Sequence, residues 1–255
     1  MPGKTKLAAQ LYTLREFMKT PADMAQTLKK VREIGYQAVQ LSGHGPIEAA
    51  ELKKMLDQEK LTVCATHVSF EQMRDAPEQV IANHKTWNCT FTAVGSIPKA
   101  LRNEAGYHSF AKDASAAARR LKQDGLSFGY HNHGFEFEKF GGKTGLEILY
   151  AESDPEVFGA ELDTYWIVSG GGDPAQWIRN LKTRISHMHF KDMAIKDGQQ
   201  IRAEVGEGNL NWPEILKACK AAKVQWYIVE QDVCQRDPFE SLAISLRNLQ
   251  SWGLK

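Results

Sequence analysis

Short apolar runs alternate with amphipathic stretches along the whole chain, and this unit recurs about eight times. The apolar runs have the length of buried strands. The stretches between them carry apolar residues at the three- and four-residue spacing of helices that pack on one face. The predicted strands cover residues 7–12, 37–42, 61–67, 89–95, 126–133, 157–163, 185–191 and 224–230. The pattern therefore indicates a regular alternation of strand and helix.

Helix start and stop signals separate these strands. Thr20 suits the N-cap of the first helix, Pro21 its first position and Gly35 its end. Asn211 or Trp212 is expected to cap a later helix. The predicted helices cover residues 21–36, 47–60, 77–87, 107–123, 174–183, 213–222 and 238–252, with a further short helix after Gly141, and the longest irregular loop covers 192–211.

Eight strand–helix units in 255 residues predict a (β/α)8 barrel that forms one domain over residues 1–255. The competing fold is a doubly wound open sheet. That fold usually carries a glycine-rich phosphate loop after its first strand, and the segment Tyr12-Thr-Leu-Arg15 has no such character. The barrel is the better prediction because no linker interrupts the repeating units.

Polar side chains collect where the predicted strands end, which is where a barrel places its active site. The densest group is His131, His133 and Glu136, after the fifth strand. Such groups at the end of a buried strand need a ligand or a closed hydrogen-bond network, and we favour the ligand. The further strand-end residues are His67, Asp163, His187, His189 and Glu230.

The bulk composition excludes few classes of protein. Lys and Arg total 32 against 31 for Asp and Glu, so overall charge gives no reason to expect nucleic acid or a membrane as partner. The 4 cysteines are scattered without a CxxC motif, which is typical of reduced thiols in the cytoplasm. The start of the chain has too short an apolar run for a signal sequence, although a periplasmic protein whose leader had been removed would look the same.

Four strand-end residues form a set that suits a divalent metal: Glu136, Asp163, His189 and Glu230. They follow four neighbouring strands and are expected to converge at the mouth of the barrel. Crowded carboxylates repel one another unless a cation such as Mn²⁺, Mg²⁺, Co²⁺ or Zn²⁺ neutralises them. A single Asp or Glu at a strand end is more often a helix cap or an ion-pair partner, so the prediction depends on all four together.

Five motifs in barrel order resemble those of the sugar phosphate isomerase/epimerase family, the xylose isomerase-like TIM barrels. They are Tyr130-His-Asn-His-Gly-Phe-Glu-Phe137, Leu162-Asp-Thr-Tyr-Trp166, His187-Met-His-Phe-Lys-Asp192, Val205-Gly-Glu-Gly-Asn-Leu-Asn-Trp212 and Ile228-Val-Glu230. The resemblance covers nearly the whole chain. It implies a divalent metal held by Glu136, Asp163, His189 and Glu230, with His133 as a base. One departure is that many relatives carry the first ligand directly on strand five, where this chain has His131.

The resemblance implies a metal-dependent isomerase or epimerase that acts on a sugar through an enediolate intermediate. His133 or a metal-bound glutamate, Glu136 or Glu230, would remove the proton. Lys191 would hold a substrate hydroxyl or the developing oxyanion; the alternative is an ion pair with Asp192 or Glu207. The expected substrate contacts are His67, His131, Trp166 and Tyr12, and His187 is expected to lie deeper in the barrel.

Three other functions remain open. The same site, with a leaving group beside the enediolate, would make a lyase or dehydratase of a 3-keto-glycoside or an inositol-type ketone. An apurinic endonuclease is disfavoured by the neutral charge and by too few clustered ligands for about three zinc ions. A non-catalytic sugar-binding protein is the third. We expect an unphosphorylated sugar or keto-sugar as substrate, because no phosphate cradle is evident, and we leave open a homo-oligomer.

Overall fold

The computed structural model describes residues 6–255, in which eight parallel strands close into a barrel. Residues 1–5, at the start of the segment considered for a leader, lie outside the described residues. The barrel strands are Lys6–Gln10 (β1), Ala38–Leu41 (β2), Thr62–His67 (β3), Phe91–Val94 (β4), Ser127–His131 (β5), Phe158–Asp163 (β6), Ile185–Phe190 (β7) and Trp226–Val229 (β8). Each strand pairs with its neighbours in sequence, and β8 pairs with β1. The predicted (β/α)8 barrel is confirmed.

Helices lie between the strands on the outside of the barrel. They are Pro21–Ile34 (α1), Ala49–Gln58 (α2), Phe70–Asp75 (α3), Pro77–Trp87 (α4), Glu104–Gln123 (α5), Gly145–Glu152 (α6), Thr164–Ser169 (α7), Pro174–Asn180 (α8), Trp212–Ala222 (α9) and Pro238–Ser251 (α10). The predicted caps are confirmed for α1, where Thr20 and Asp23 form a capping box and Gly35 has φ of 121°. Asn211, not Trp212, caps α9. The sequence pattern did not predict α3 and α7.

Two predicted strands end two residues earlier than expected. Strand β1 ends at Gln10, and Tyr12 lies in a 3-10 helix, Leu11–Phe17, that turns the chain over the barrel mouth. Strand β5 ends at His131, so His133 lies in the following loop and not on the strand. After β1 the apolar run continues through Leu11 and Tyr12, past the last paired residue, so the pattern overestimated the strand. After β5 the next residues, Asn132 and His133, are polar, and the prediction extended the strand into them although pairing stops at His131.

The prediction of an irregular loop over 192–211 is wrong in its first half. Asp192–Lys196 pairs antiparallel with Gln199–Ala203 in a hairpin beside the barrel mouth. The two residues at its tip, Asp197 and Gly198, have φ of 50° and 74°, as a two-residue type I′ turn requires. The Asp-Gly pair was therefore a hairpin signal that the polarity of the segment obscured.

The barrel interior changes character from bottom to top. Small or apolar side chains form a buried cluster of their own, which comprises Ala8, Ala38, Cys64, Ala65, Phe91, Ala93 and Ile228. His187 packs against this cluster, with its ring stacked 3.8 Å from that of Phe91 and its Nε2 3.2 Å from the carbonyl oxygen of Cys64. It therefore lies deeper in the barrel than His189, as predicted. The upper interior is filled by polar groups, which makes it the candidate site.

The main apolar core lies between the sheet and the surrounding helices. The four cysteines are free thiols; three are buried and Cys234 is half-buried, as the scattered spacing predicted. Across residues 6–255, we find no helix with both the length and the apolar character needed to cross a lipid bilayer.

Candidate metal centre and active-site cavity

Four buried side chains converge at the carboxyl ends of neighbouring strands: His131, Asp163, His189 and Glu230. Each offers one nitrogen or oxygen atom, and these four atoms lie within 4.8 Å of one another. The strand register produces the convergence, because Asp163 pairs with His189 across β6 and β7 and both side chains point into the barrel. We refer to these four residues as the ligand cluster.

A hydrogen bond outside the ligand cluster orients the imidazole of His131, and the imidazole of His189 presents one nitrogen to the carboxylates of the cluster. His131 Nδ1 lies 3.1 Å from the carbonyl oxygen of Gly95, which can only accept, so this nitrogen carries the proton and Nε2 faces Asp163 Oδ2 at 3.4 Å. His189 Nδ1 lies 3.3 Å from Glu230 Oε2 and 3.9 Å from Asp163 Oδ2. One nitrogen of each ring therefore faces the same small space, as ligands to a cation must.

Asp163 has two separate roles in the fold. Its Oδ1 accepts a 3.0 Å hydrogen bond from the backbone N–H of Trp166 and so caps α7, while Oδ2 faces the ligand cluster. The sequence left open whether this aspartate is a helix cap or a ligand candidate. The geometry allows both roles at once, since each oxygen serves one of them.

Lys191 is the cation that the chain itself places beside this cluster. Its Nζ lies 2.6 Å from Glu230 Oε2, 3.1 Å from Asp163 Oδ2 and 3.2 Å from Asp232 Oδ1. The predicted alternative, an ion pair with Asp192 or Glu207, is wrong. Asp192 instead accepts hydrogen bonds from the backbone N–H groups of Gly206, Gly208 and Leu210. Glu207 accepts a hydrogen bond from the side-chain amide of Asn248.

The charges of the site are mutually stabilised. Burial alone would raise the pKa of Asp163 and Glu230, but Lys191 and the nearby imidazoles outweigh burial and hold both values below normal. Burial would likewise lower the pKa of Lys191, and its three carboxylate partners raise it instead. Burial opposes a charge on His131 too, yet Asp163, Glu230 and Glu161 raise its pKa to about 9. The metal-free site therefore attracts positive charge.

His133 differs from the other histidines at the mouth because its buried Nδ1 has no hydrogen-bond partner among residues 6–255. Its ring stacks on Phe135 with centroids 5.2 Å apart and lies 5.1 Å from Trp166. Burial, together with the positive charges of His131 and Lys191, lowers the pKa of His133 to about 2. The ring is therefore neutral and held by packing, with a nitrogen lone pair available.

Glu136 lies outside the ligand cluster, which corrects the predicted ligand set. Its Oε1 accepts a 2.6 Å hydrogen bond from the hydroxyl of Tyr130, and its Oε2 accepts a 2.7 Å bond from the backbone N–H of His133. The side chain turns back to close the loop after β5 instead of reaching the mouth. His131 occupies the position on strand five that we had assigned to Glu136.

Sequence reasoning missed three polar residues around the site. Glu161 and Gln40 are fully buried beneath His189, and Asp232 binds Lys191 at the rim. Burial would raise the pKa of Glu161, but His189 and His67 outweigh it and lower the value to about 2. Alternation along the strand could have found Glu161, which lies two residues before Asp163 and therefore on the same face.

A cavity of about 490 Å³ opens above the ligand cluster. Among its walls are His67, His131, Trp166 and Tyr12, which we predicted as substrate contacts, together with His133 and Lys191. The ring of Trp166 is covered on one side by Arg202, whose guanidinium lies 4.8 Å from the ring centroid. Tyr165 is buried and Phe137 packs on Trp177, so these two aromatics belong to the structural packing.

The chain matches one protein family over most of its length and resembles two curated proteins. The family described as xylose isomerase-like TIM barrel matches residues 28–251. The rhizopine catabolism protein MocC of Rhizobium meliloti is 25% identical over 267 residues, covering 89% of this chain and 80% of that protein. The inosose dehydratase of Geobacillus thermodenitrificans NG80-2 is 28% identical, but the match covers only 46% of this chain and 45% of the relative.

Among solved structures, a sugar phosphate isomerase/epimerase from Parabacteroides distasonis ATCC 8503 has a TM-score of 0.79 and 25% identity, and the match covers 98% of this chain and 95% of that one. A probable 3-DHS dehydratase, AsbF from Bacillus anthracis, has a TM-score of 0.72 at 16% identity, covering 96% of this chain and 99% of that chain. At that level of identity the second likeness concerns the fold alone.

Proposed function

We propose that this chain, which belongs to the xylose isomerase-like TIM-barrel family, is a divalent-metal-dependent enzyme acting on a small polyhydroxylated ketone. The proposed reaction begins with removal of a proton from the carbon beside the carbonyl. The observation that carries the proposal is the ligand cluster, in which two oriented imidazole nitrogens and two carboxylate oxygens share one small space beneath an open cavity.

The donor set fits a divalent ion. His131, Asp163, His189 and Glu230 would hold it, and two imidazoles with two carboxylates favour Mn²⁺, Co²⁺ or Zn²⁺ over Mg²⁺, which prefers oxygen ligands. Such an ion, when bound, polarises a carbonyl and stabilises the negative charge that develops on its oxygen.

His133 is the proposed base. Its neutral ring lines the cavity, and its Nδ1 has no competing partner in the described part of the chain. The low pKa keeps the ring unprotonated at neutral pH and makes it a weak base in the free site. Negative charge developing on the substrate would raise that pKa during the transfer. Lys191, fixed by three carboxylates, would orient a substrate oxygen rather than exchange protons.

Dehydration is the outcome that we propose first, and isomerisation or epimerisation second. A single imidazole suits removal of a proton and its delivery to a hydroxyl leaving group on the same face. Epimerisation usually needs a second acid or base on the opposite face, and Glu136, which we expected as a metal ligand and an alternative base, is committed to Tyr130 and the backbone of His133. The inosose dehydratase likeness supports the same order.

The substrate is proposed to be uncharged. Among the described residues that line the cavity, Lys191 is the one lysine or arginine, and three carboxylates already neutralise it. Glu71 adds a further acidic group to the wall. A phosphate group would therefore meet the negative charge of these carboxylates with no unpaired lysine or arginine in the described lining to bind it.

The test is turnover of a ketone panel by the protein loaded with Mn²⁺ or Co²⁺, run in D₂O and followed by NMR. The panel pairs inosose-type cyclic ketones and free ketohexoses with the corresponding phosphates. We expect water loss from a free cyclic ketone, with deuterium incorporated beside the carbonyl of recovered substrate or product. Turnover of phosphates alone would contradict the substrate proposal, and equal turnover after complete removal of metal would contradict the metal proposal.

A further inference from the structure

A second layer of polar side chains lies directly beneath the ligand cluster. Gln40 Nε2 donates to Glu161 Oε1 at 2.9 Å, and Gln40 Oε1 lies 2.6 Å from His189 Nε2. Glu161 Oε2 lies 2.6 Å from His67 Nε2. Gln40, Glu161 and His189 are completely buried, so water does not compete for these contacts. The proposed chemistry does not use either Gln40 or Glu161.

The carboxylate fixes the orientation of the amide. An ionised carboxylate can only accept hydrogen bonds, so the amide nitrogen of Gln40 must face Glu161 and the amide oxygen must face His189. An amide oxygen also only accepts. His189 Nε2 must then carry a proton, so Nδ1, which faces the carboxylates of Glu230 and Asp163, is the nitrogen that can give up its proton and offer a lone pair to a cation.

Glu161 also determines which ring nitrogen of His67 carries the proton, and here the contact is direct. His67 Nε2 donates to Glu161 Oε2, which leaves Nδ1 as the acceptor of a ring that lines the cavity wall. One buried carboxylate thus sets the protonated nitrogen of two histidines, one in the cluster and one beside the substrate. The wall histidine would then accept a hydrogen bond from a substrate hydroxyl.

The pairing of the barrel strands is irregular at both Gln40 and Glu161. The pairing of β2 with β3 shifts register between Val39 and Gln40, and the pairing of β6 with β7 shifts between Ala160 and Glu161. Such irregularities redirect side chains in strands that would otherwise point elsewhere. Because the two register shifts occur at Gln40 and Glu161, we infer that they help to orient these side chains towards His189.

We infer that Gln40 and Glu161 are positioning residues that keep the proton of His189 on Nε2, so that Nδ1 is available to a divalent cation. This inference rests on the proposed metal-dependent function. Outer hydrogen bonds of this kind typically change metal affinity by about 10–100-fold when removed.

The first experiment measures Mn²⁺ affinity by the EPR signal of free Mn²⁺ in wild type, Gln40→Met and Gln10→Met. Gln10 is the matched control, because it pairs in register with Gln40, is equally buried and does not contact His189 in the described structure. We expect Gln40→Met to weaken affinity by about 10–100-fold and Gln10→Met to stay close to wild type. Equal effects of the two substitutions, with equal changes in thermal unfolding of the metal-free proteins, would reduce Gln40 to a structural role.

The second experiment detects the proton of His189 directly in the wild-type protein, with and without a bound ion. Long-range ¹H–¹⁵N spectra of protein with labelled histidine report which ring nitrogen is protonated, in the Zn²⁺-loaded and metal-free states. We expect Nε2 of His189 to carry a proton in both. An unprotonated Nε2 would overturn the inference. If wild type binds no metal while Nε2 is protonated, the proposed function fails and the hydrogen-bond assignment stands.

Discussion

Glu136 and the pair formed by Asp163 and Glu230 are buried carboxylates at the same end of the barrel, yet their surroundings act on them in opposite directions. Burial raises the pKa of Glu136 to about 7, and hydrogen bonds from Tyr130 and the backbone only partly offset this. For Asp163 and Glu230 the neighbouring Lys191 and imidazoles outweigh burial and lower the pKa.

The difference shows that burial alone does not create a cation site. Glu136 has both oxygens committed to neutral donors, so it stabilises a loop. Asp163 and Glu230 share one space with Lys191 and two imidazoles, so their charge persists and can be shared with an ion. Removing members of each group should therefore have different consequences.

The largest expected effect comes from Asp163→Ala, compared with Asp173→Ala. Both substitutions remove an aspartate that caps a helix, at α7 and α8, and each should cost about 1 kcal/mol of stability from the lost cap. Only Asp163→Ala should abolish Mn²⁺ binding, since only Asp163 faces the ligand cluster. Metal analysis and calorimetric titration of both variants measure this. Equal retention of the ion in both would remove Asp163 from the site.

His133→Ala should separate chemistry from metal binding. We expect kcat to fall by about 10²–10⁴-fold, the usual contribution of a general base, while Mn²⁺ affinity stays near wild type because His133 lies outside the ligand cluster. His108→Ala, at a partly exposed histidine paired with Glu152, is the control. Loss of the ion together with activity in His133→Ala would instead make His133 a ligand.

The smallest expected effect concerns stability at Glu136. Its pKa in the folded state, about 7, lies above the ordinary value of 4.5, so ionisation favours the unfolded chain and stability is lost as pH rises through 7. Relative to Glu136→Gln, which cannot ionise, wild type should lose about 3 kcal/mol of unfolding free energy between pH 4 and pH 8.

Urea unfolding at several pH values measures this difference, with Glu156→Gln at an exposed glutamate as the control. A difference between wild type and Glu136→Gln that does not change with pH would show that the Glu136 carboxyl is not destabilised by burial.

The sequence predicted the barrel because strand and helix periods repeat regularly, and it predicted Asp163, His189 and Glu230 because each ends a strand. It failed at Glu136, since the path of a loop after its strand depends on contacts such as the Tyr130 hydroxyl that no local pattern reveals. It also missed Gln40, whose contacts with Glu161 and His189 join strands far apart in sequence, and Glu161, which alternation along β6 could have found.

The central claim is that His131, and not Glu136, completes the ligand cluster. Titration of metal-free wild type, His131→Ala and Glu136→Gln with Mn²⁺, followed by EPR, tests it most directly. We expect about one ion bound per wild-type chain, unchanged binding in Glu136→Gln and binding weakened at least about 100-fold in His131→Ala. Retained binding in His131→Ala with loss in Glu136→Gln would instead make the glutamate the strand-five ligand.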